Sequence, residues 1–242
     1  GLKTEKLYEI LDLIAYYFPE CEGINMDATV TSILHKSQEE LEMLARKKVK
    51  HLYLGIESGL DDVLKFMKKD HDLAQAYQAI DRLHEAGLIY DAHIMTGVAG
   101  KGRGMENAEA LAQFLNRTNP AHVVNFSMFL HKEVPLYQDI RQGTFVPADE
   151  LETIREEYHL IERIAPEKAG ANILYDGFHD FIHVRVRGHL PDDKEKMLAK
   201  LSGIIQEYEG KEPVYSFVQG ECPDLEYCDD GKAVWDMDRK TS

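Results

Sequence analysis

A carboxylate and a hydroxyl, Glu57 and Ser58, directly follow the short apolar run of residues 52–56 and precede Gly59. Such a run is typical of a buried strand in a parallel sheet. Polar residues at the C-terminal end of that strand lie where barrel and open α/β enzymes place their chemistry. A carboxylate there suits the paired hydroxyls of a ribose. The alternative is that Glu57 caps a helix beginning near Asp61, and the residues alone leave both interpretations open.

Two other segments carry residues that could do chemistry, and each has a plainer interpretation. Lys101 and Arg103, in the glycine-rich stretch 97–104, suit an anionic substrate or belong to a mobile loop. The stretch fits neither the Gly-x-Gly-x-x-Gly register nor the phosphate-loop register. His179 and His183 are four residues apart, which is a metal-ligand spacing only on a helix. Because the surrounding alternation indicates a strand, we interpret them as incidental strand histidines.

The composition argues against several classes of protein. The chain has 242 residues and a formal net charge of −15, which argues against nonspecific binding of nucleic acid. No apolar run approaches the length of a membrane-spanning helix, and we expect neither a signal peptide nor a membrane partner. The three cysteines, Cys21, Cys222 and Cys228, fit no disulfide scaffold or standard metal motif and favour a reducing, cytoplasmic compartment.

Helix and strand signals alternate through the first part of the chain. Apolar residues recur at helical spacing in several segments, and Ser37 and Glu40 form a capping box at the start of one of them. The predicted elements are helix 6–18, strand 23–30, a helix from 37, strand 52–57, helices 61–67 and 73–86, strand 90–96, helix 105–116 and strand 123–129. This alternation predicts a parallel sheet with right-handed crossovers. A complete barrel needs eight strands, so either the sheet is open or strands are missing ahead of it.

The pattern changes after Gly143, where turn residues precede a long acidic segment. The predicted elements are a helix over 148–164 with Pro147 at its first position, strands at 172–175 and 181–186, and a helix from Asp192 to about 209. The polar tail from Glu221 onward is expected to be weakly ordered. We therefore divide the chain into a partial barrel over 1–145 and an α+β extension over 146–242.

Several segments resemble one enzyme superfamily in their order and spacing. Residues 55–59, Gly-Ile-Glu-Ser-Gly, followed by the acidic and lysine-rich segment 61–69, are similar to the fourth barrel strand and next helix of radical S-adenosylmethionine (radical SAM) enzymes. The other similar segments are 37–47, 79–88, 93–97, 134–137 and, more faintly, 188–195. The resemblance implies an α/β fold, namely a partial TIM-type (β/α) barrel with a parallel sheet, outer helices and a small α+β C-terminal extension.

In that family a Cys-x3-Cys-x2-Cys loop after the first strand binds a [4Fe–4S] cluster, whose free iron holds the amino acid end of SAM. This chain has neither that triplet nor the Gly-Gly-Glu segment of the second strand. The resemblance therefore implies that the first two strands lie upstream of Gly1, and no metal-ligand set is predicted here. We expect the chain alone to be inactive and to bind no cofactor, whereas the intact protein would bind SAM and the cluster.

The resemblance also assigns roles to side chains near the end of the fourth barrel strand. Glu57 would face the ribose hydroxyls of SAM, and Ser58 would line the same pocket. Lys69 falls where a cationic side chain often pairs with the methionine carboxylate. The plainer interpretation of Lys69 is a solvated lysine at the end of a helix.

Three more residues take cofactor-binding positions by the same resemblance. His93, on the fifth barrel strand, stands where relatives carry a ribose-binding Asp, and Asp27, on the third barrel strand, is a candidate of the same kind. Gly97, at the end of the strand that carries His93, allows the backbone to approach adenine or methionine. The backbone of 126–128 could receive adenine. The plainer interpretation of His93 is a core histidine whose hydrogen bonds are satisfied.

The expected function is that of a truncated radical SAM iron–sulfur oxidoreductase. The intact protein would cleave SAM reductively to a 5′-deoxyadenosyl radical that acts on an unknown small-molecule substrate, with a reductant such as flavodoxin or ferredoxin. One alternative is a noncatalytic α/β module that binds a nucleotide or a partner. Another is a barrel enzyme that uses Glu57 and a histidine in acid/base work, although no clear general-base pair is visible.

Overall fold

The computed structural model describes residues 2–217 together with the backbone of residues 224–227 and 233–236. Helices and strands alternate through most of it. The helices are α1 (Thr4–Tyr17), α2 (Val30–Leu34), α3 (Gln38–Arg46), α4 (Asp61–Phe66), α5 (Leu73–Glu85), α6 (Gly104–Thr118), α7 (Leu136–Arg141), α8 (Glu150–Arg163) and α9 (Lys194–Tyr208). The strands are β1 (Ile24–Ala28), β2 (Val49–Glu57), β3 (Ile89–Thr96), β4 (His122–Ser127), β5 (Ile173–His179), β6 (Val184–Leu190), β7 (Asp224–Tyr227) and β8 (Ala233–Asp236).

Six strands form one sheet in the order β1-β2-β3-β4-β5-β6. Neighbouring strands are parallel from β1 to β5, and β6 is antiparallel to β5. Strands that follow one another along the chain lie side by side, as in a (β/α) barrel. The sheet is not closed into a cylinder in the described part of the chain. The α/β fold predicted from the sequence, a parallel sheet with outer helices, is confirmed.

Burial alternates along the strands and distinguishes the two faces of the sheet. On β2, Leu52, Leu54 and Ile56 are fully buried in the core shared with the helices, whereas Tyr53 between them is half-buried. On β4, Phe126 is 37% exposed between buried neighbours. Within residues 2–217, one face therefore packs against helices and the other does not. We call the second face the open face, and its residues include His51, Tyr53, His93, Phe126 and Phe178.

Capping residues fix where the early helices begin. The Ser37 hydroxyl accepts from the N–H of Glu40, and the Glu40 carboxylate accepts from the N–H of Ser37, which confirms the predicted capping box. Thr29 caps α2 with its own hydroxyl. Because Thr29 starts a helix, β1 ends at Ala28, and the predicted strand over 23–30 is too long.

The acidic helix α8 begins later than predicted. Asp149 is its N-cap, and Asp149 Oδ1 accepts from the N–H of Glu152 at 2.9 Å. A carboxylate at this position satisfies one of the free N–H groups at the start of the helix. Pro147 therefore precedes the helix and does not occupy its first position.

The two strands after α8 are longer than predicted and are joined by a tight turn. β5 runs to His179, a 3₁₀ turn covers Asp180–Ile182, and His183 takes a left-handed conformation with φ +55°. The predicted strand over 181–186 therefore starts too early, and His179 and His183 do not share a strand. The segment 180–183 contains no Gly or Pro that would have marked the turn.

The segment after residue 145 continues the same sheet, because β5 pairs in parallel with β4. Strands on both sides of the predicted boundary between 145 and 146 therefore share one sheet. The division into two units stays a prediction. Cys222, Cys228 and most of the tail from Glu221 lie outside the described residues. Among the residues that are described, no helix is both long enough and apolar enough to cross a membrane.

Candidate functional site

Glu57 ends β2 in a conformation that few residues other than glycine adopt. Its φ is +63°, and the register of β2 against β3 shifts between Gly55 and Glu57. The left-handed region costs such a residue roughly 1–2 kcal/mol, so surrounding contacts must hold it there. The Glu57 carboxylate meets Lys69, whose ammonium donates to Oε1 at 3.2 Å.

Gly55 leaves the space that this ion pair occupies. A Cβ at position 55 would lie 2.8 Å from Glu57 Oε1 and 3.2 Å from Lys69 Nζ. The side chains of Lys69 and Glu57 are 25% and 24% exposed, so a ligand can reach both. A carboxylate has about four acceptor positions and an ammonium has about three donors, so both groups keep capacity for a ligand. The pair thus offers opposite charges side by side at the C-terminal end of a parallel strand.

A row of rings crosses the open face next to this pair. The ring centroids of Tyr53 and His93 lie 5.1 Å apart, and those of His93 and Phe126 lie 6.0 Å apart. Phe126 stacks on Phe178 at 5.7 Å, with 16° between the ring planes. Cross-strand pairs of this kind stabilise a sheet. The row also gives the open face a half-exposed apolar surface beside the strand position of Gly55, which pairs with His93.

A second group of titratable side chains lies toward the N-terminal ends of the strands. His51 Nδ1 lies 2.6 Å from Asp91 Oδ2, and the Tyr53 hydroxyl lies 3.1 Å from His122 Nδ1. Burial raises the pKa of Asp91, although the hydrogen bond with His51 opposes the rise. Burial also lowers the pKa of His122. Sequence analysis missed this group, because a single His or Asp in a strand carries no local signal of its partner across the sheet.

Two of the predicted site residues make their contacts on the helix side. Ser58 is fully buried, and its hydroxyl donates to Asn107 Oδ1 at 2.6 Å. The N–H of Gly97 donates to Glu156 Oε2 at 2.8 Å. In this conformation the Ser58 hydroxyl does not reach the open face, because α6 already holds it. The predicted residues on or beside the open face are Asp27, Glu57, Lys69 and His93. A cofactor role for any of the predicted residues stays a prediction.

A buried ion cluster lies behind the strand ends. His179 is fully buried, with Nδ1 2.9 Å from Glu150 Oε2 and Nε2 3.0 Å from Glu157 Oε2. Burial opposes the imidazolium charge, but the hydrogen bonds with the two carboxylates outweigh it and raise the pKa of His179 to about 10. Burial likewise opposes ionisation of Glu150, and contact with His179 nevertheless lowers its pKa. His179 is therefore a structural cation, and it is not an incidental strand histidine.

Glu156 is a further buried acid that sequence analysis missed. It is 1% exposed, and burial raises its pKa to about 8 despite donors from Asn107 and Gly97. A signal for the buried acids of α8 was present in the sequence. Glu150 and Glu157 lie one heptad apart, on the helix face that also carries Ile154. Acids on the apolar face of a helix indicate buried partners.

The glycine-rich stretch 97–104 is held by hydrogen bonds. Arg103 donates to Asp62 Oδ2 at 2.7 Å and to Glu106 Oε2 at 2.8 Å. A cavity of about 340 Å³ lies beside it, and its lining includes Phe145. Because Arg103 already binds two carboxylates, it does not offer an unengaged cation to an anionic substrate.

The parallel sheet with outer helices defines an α/β protein of the TIM-type barrel class. Residues 2–115 match the model of the Radical SAM superfamily. A tRNA uridine(34) acetyltransferase from Methanocaldococcus infernus is 25% identical over 119 residues, which cover 49% of this chain and 22% of that relative. The chain thus spans about a fifth of the length of the curated relative that it matches.

The solved structure of Elp3 supports this fold. Elp3 of Methanocaldococcus infernus, with an N-terminal deletion, gives a TM-score of 0.57 at 17% identity, covering 77% of this chain and 42% of its own. Methylornithine synthase (PylB) gives a TM-score of 0.49 at 15% identity, covering 83% of this chain and 63% of its own. By this match, residues 2–115 belong to the radical SAM superfamily, and the likeness to Elp3 agrees with part of a barrel fold.

The described residues fit SAM but do not fit the [4Fe–4S] cluster, the other cofactor of that superfamily. Residues in the described part of the chain include no group of three His, Cys, Asp or Glu that could hold a metal ion, and the free cysteine found there is Cys21. The [4Fe–4S] cluster therefore has no site among them. The Glu57–Lys69 pair does fit SAM, because a carboxylate accepts from ribose hydroxyls and an ammonium pairs with a carboxylate.

Proposed function

We propose that this chain forms the nucleoside-binding wall of a radical SAM oxidoreductase. The intact protein would cleave SAM by one-electron reduction to methionine and a 5′-deoxyadenosyl radical, which acts on a small-molecule substrate. The observation that carries the proposal is the partly exposed Glu57–Lys69 ion pair at the end of β2. Glu57 would accept from the ribose hydroxyls, Lys69 would pair with the methionine carboxylate, and His93 would lie against the nucleoside.

The electron for this cleavage comes from a [4Fe–4S] cluster in the superfamily. Since the described residues do not fit a cluster, we assign no step through it to this chain, and we expect the chain alone to be inactive. A reductant such as flavodoxin or ferredoxin belongs to the same proposal for the intact protein. So does a cytoplasmic location, which the sparse, unpatterned cysteines support.

The tRNA named in the description of the acetyltransferase relative is not part of the proposal. The matched segment covers 22% of that relative, so most of that protein has no counterpart here. The net charge of −15 also opposes binding of a polyanion, which depends on clustered Lys and Arg. We therefore keep a small molecule as the substrate class.

Calorimetric titration of the chain with S-adenosylhomocysteine tests the proposal, because this probe carries the nucleoside and the amino acid without needing the cluster. The proposal thereby replaces the expectation from the sequence that the chain alone binds no cofactor. Glu57→Gln keeps the shape of the side chain and removes its charge. We expect it to weaken binding about tenfold, since a charge-assisted hydrogen bond contributes about 1.5–3 kcal/mol. The matched control is Glu9→Gln, which removes a carboxylate from the exposed Lys6–Glu9 pair on α1 and should leave the affinity unchanged. Absence of binding to the unsubstituted chain contradicts the proposal.

A further inference from the structure

Buried side chains behind the sheet reach both loops of the proposed SAM site. Glu156 on α8 accepts from the N–H of Gly97 at 2.8 Å through Oε2. It accepts from Asn107 Nδ2 at 2.7 Å through Oε1. Glu156 and Asn107 are 1% and 0% exposed, so neither exchanges these contacts for water. One carboxylate thus joins the loop after β3 to helix α6.

Asn107 carries the connection to the loop after β2. Its Oδ1 accepts from the Ser58 hydroxyl at 2.6 Å and from the N–H of Gly59 at 3.2 Å. The Ser58 hydroxyl oxygen accepts in turn from the N–H of Leu60 at 3.1 Å. The nitrogen of the Asn107 amide faces a carboxylate, and its oxygen faces two donors. Glu156 therefore fixes which way the Asn107 amide points.

Two glycines, Gly59 and Gly104, let the backbone lie close to these hydrogen-bonded side chains and to α6. A Cβ at Gly104 would lie 2.9 Å from Glu156 Oε2 and 3.2 Å from Glu156 Cβ. A Cβ at Gly59 would lie 2.4 Å from the Leu111 nitrogen and 2.5 Å from the Ala110 carbonyl carbon, both backbone atoms of α6. Any larger residue at either position would push the loop or α6 away. The sequence thus places its smallest residue where the loop after β2 and the start of α6 meet the buried side chains.

The residue immediately before this anchored loop is the strained Glu57. Its left-handed backbone, with φ +63°, needs support from its surroundings. The pair with Lys69 is partly exposed and too weak to supply that support alone. The N–H of Ser58 donates to the Ile56 carbonyl at 2.8 Å across Glu57. Asn107 anchors Ser58 and Gly59 directly after it, and these contacts are buried.

We propose that Glu156 is a positioning residue of the SAM site. Acting through Asn107, it holds Ser58 and Gly59 in place and so keeps Glu57 in the left-handed conformation that presents its carboxylate to the ligand. Glu156 itself touches no ligand, because it is buried behind the sheet. This inference rests on the proposed function for the ligand, but the effect on the Glu57 backbone can be measured without any ligand.

Above pH 8, where Glu156 is ionised, Glu156→Gln tests the proposal because it nearly preserves volume and exchanges one acceptor for a donor. The new amide can accept from either Gly97 or Asn107, and its NH₂ group then faces the other donor. If the Asn107 amide inverts to relieve this clash, its own NH₂ turns toward the N–H of Gly59. In every arrangement a buried donor on Gly97, Asn107 or Gly59 loses its acceptor.

The double variant Glu156→Gln with Asn107→Asp exchanges the carboxylate and the amide and restores every contact. The new glutamine accepts from Gly97 and donates to the new aspartate. The other oxygen of that aspartate accepts from Ser58 and Gly59. If Glu156 served only to fill space, the second substitution would add damage and would not repair it.

The direct readout is the backbone of Glu57 in the full chain, followed by the HN–Hα coupling and Cα chemical shift in NMR spectra. The second readout is affinity for S-adenosylhomocysteine. We expect Glu156→Gln to move Glu57 out of the left-handed region and to weaken binding about tenfold, as loss of a buried hydrogen-bond partner does. We expect the double variant to restore the Glu57 backbone and most of the affinity.

Glu157→Gln is the matched control, because Glu157 is the next residue, is equally buried and contacts His179, Asn125 and Tyr175 instead of Asn107. It should lower stability and leave the Glu57 backbone unchanged. Ser58→Ala removes the hydroxyl that donates to Asn107 and accepts from Leu60, and it leaves the N–H of Gly59 on Asn107. It should shift Glu57 in the same direction to a smaller extent, and it serves as the test if Glu156→Gln does not fold.

An unchanged Glu57 backbone in Glu156→Gln, or in Ser58→Ala where the former does not fold, overturns the proposal. A double variant no better than Glu156→Gln overturns it as well. If the Glu57 backbone follows the substitutions while the unsubstituted chain binds no S-adenosylhomocysteine, the positioning of Glu57 is supported and the proposed function fails. The two ideas therefore fail separately.

Discussion

The two faces of the sheet use charged side chains in opposite ways. On the helix side, His179 lies between Glu150 and Glu157, and all three are fully or almost fully buried. On the open side, Glu57 and Lys69 form one contact at 3.2 Å and stay about one-quarter exposed. In the first group the charges are paired and hydrogen-bonded to one another. The second group keeps donors and acceptors for another molecule. This difference separates charges that hold the fold together from charges that can bind a ligand.

The energetic consequence differs in the same way. Charges taken out of water are stable only with well-placed partners, so removing one partner leaves a large penalty. A partly exposed pair exchanges its contact for water at little loss. We therefore expect substitutions on the helix side to change stability, and substitutions on the open side to change binding.

The largest effect is expected for His179→Leu, which leaves Glu150 and Glu157 facing each other without the cation. Breaking a buried ion group in this way should lower the free energy of unfolding by about 3–5 kcal/mol. Urea denaturation of the full chain measures it. The control is His189→Leu, at an exposed histidine on β6. Equal losses in the two variants would mean that His179 is not a structural cation.

The next largest effect is a loss of stability as pH rises. Folding raises the pKa of His179 to about 10, whereas an unfolded histidine titrates near 6.5. The stabilisation is therefore complete below about pH 6.5 and is lost as pH rises toward 10. Glu156, with its pKa raised to about 8, also lowers stability as pH rises, since the folded state keeps its proton to a higher pH than the unfolded state does. Urea midpoints between pH 6 and pH 10 should fall steadily, and a flat profile contradicts the cluster as described.

A smaller effect distinguishes strain from stability at Glu57. Glu57→Gly relieves the left-handed backbone and should raise the free energy of unfolding by up to about 1 kcal/mol, while it removes affinity for S-adenosylhomocysteine. Lys48→Gly is the control, because Lys48 has φ +67°. It should raise stability to a similar extent and leave the affinity unchanged. If Glu57→Gly is clearly less stable than the unsubstituted chain, Glu57 is not held under strain.

The smallest effect is expected for Arg103→Ala. Arg103 binds Asp62 and Glu106 at the surface, with its side chain 36% exposed. Exposed ion pairs contribute about 0.2–1 kcal/mol, so the midpoint of thermal unfolding should hardly change. A decrease of more than about 2 kcal/mol in the free energy of unfolding would mean that Arg103 stabilises the fold as the buried, mutually paired charges do. It would weaken the comparison between the two faces.

The part of the fold that could be predicted from the sequence depends on local signals. Strands β2, β3 and β4 follow from apolar runs, and the start of α3 follows from the capping box of Ser37 and Glu40. Glu57 could be identified because it directly follows such a run. The left-handed conformation of Glu57 could not, since Asn107 and Glu156, which anchor the two residues after it, are far away in the chain.

The buried ion cluster was beyond sequence analysis for a related reason. His179 lies 29 residues from Glu150 and 22 from Glu157, so no local pattern joins them. The turn at 180–183 also lacked the glycine or proline that usually marks one. Acids on the apolar face of α8 were the one available clue. They indicated buried partners without indicating which residues these are.

The central claim is that the end of β2 receives the nucleoside and amino acid of SAM. The most direct test is NMR mapping of S-adenosylhomocysteine on the full chain, with stepwise addition of the probe. We predict that the largest shift changes occur at Glu57, Lys69 and His93, with saturation at a common concentration. Shift changes centred on the cavity beside Arg103, or no changes at all, would contradict the claim.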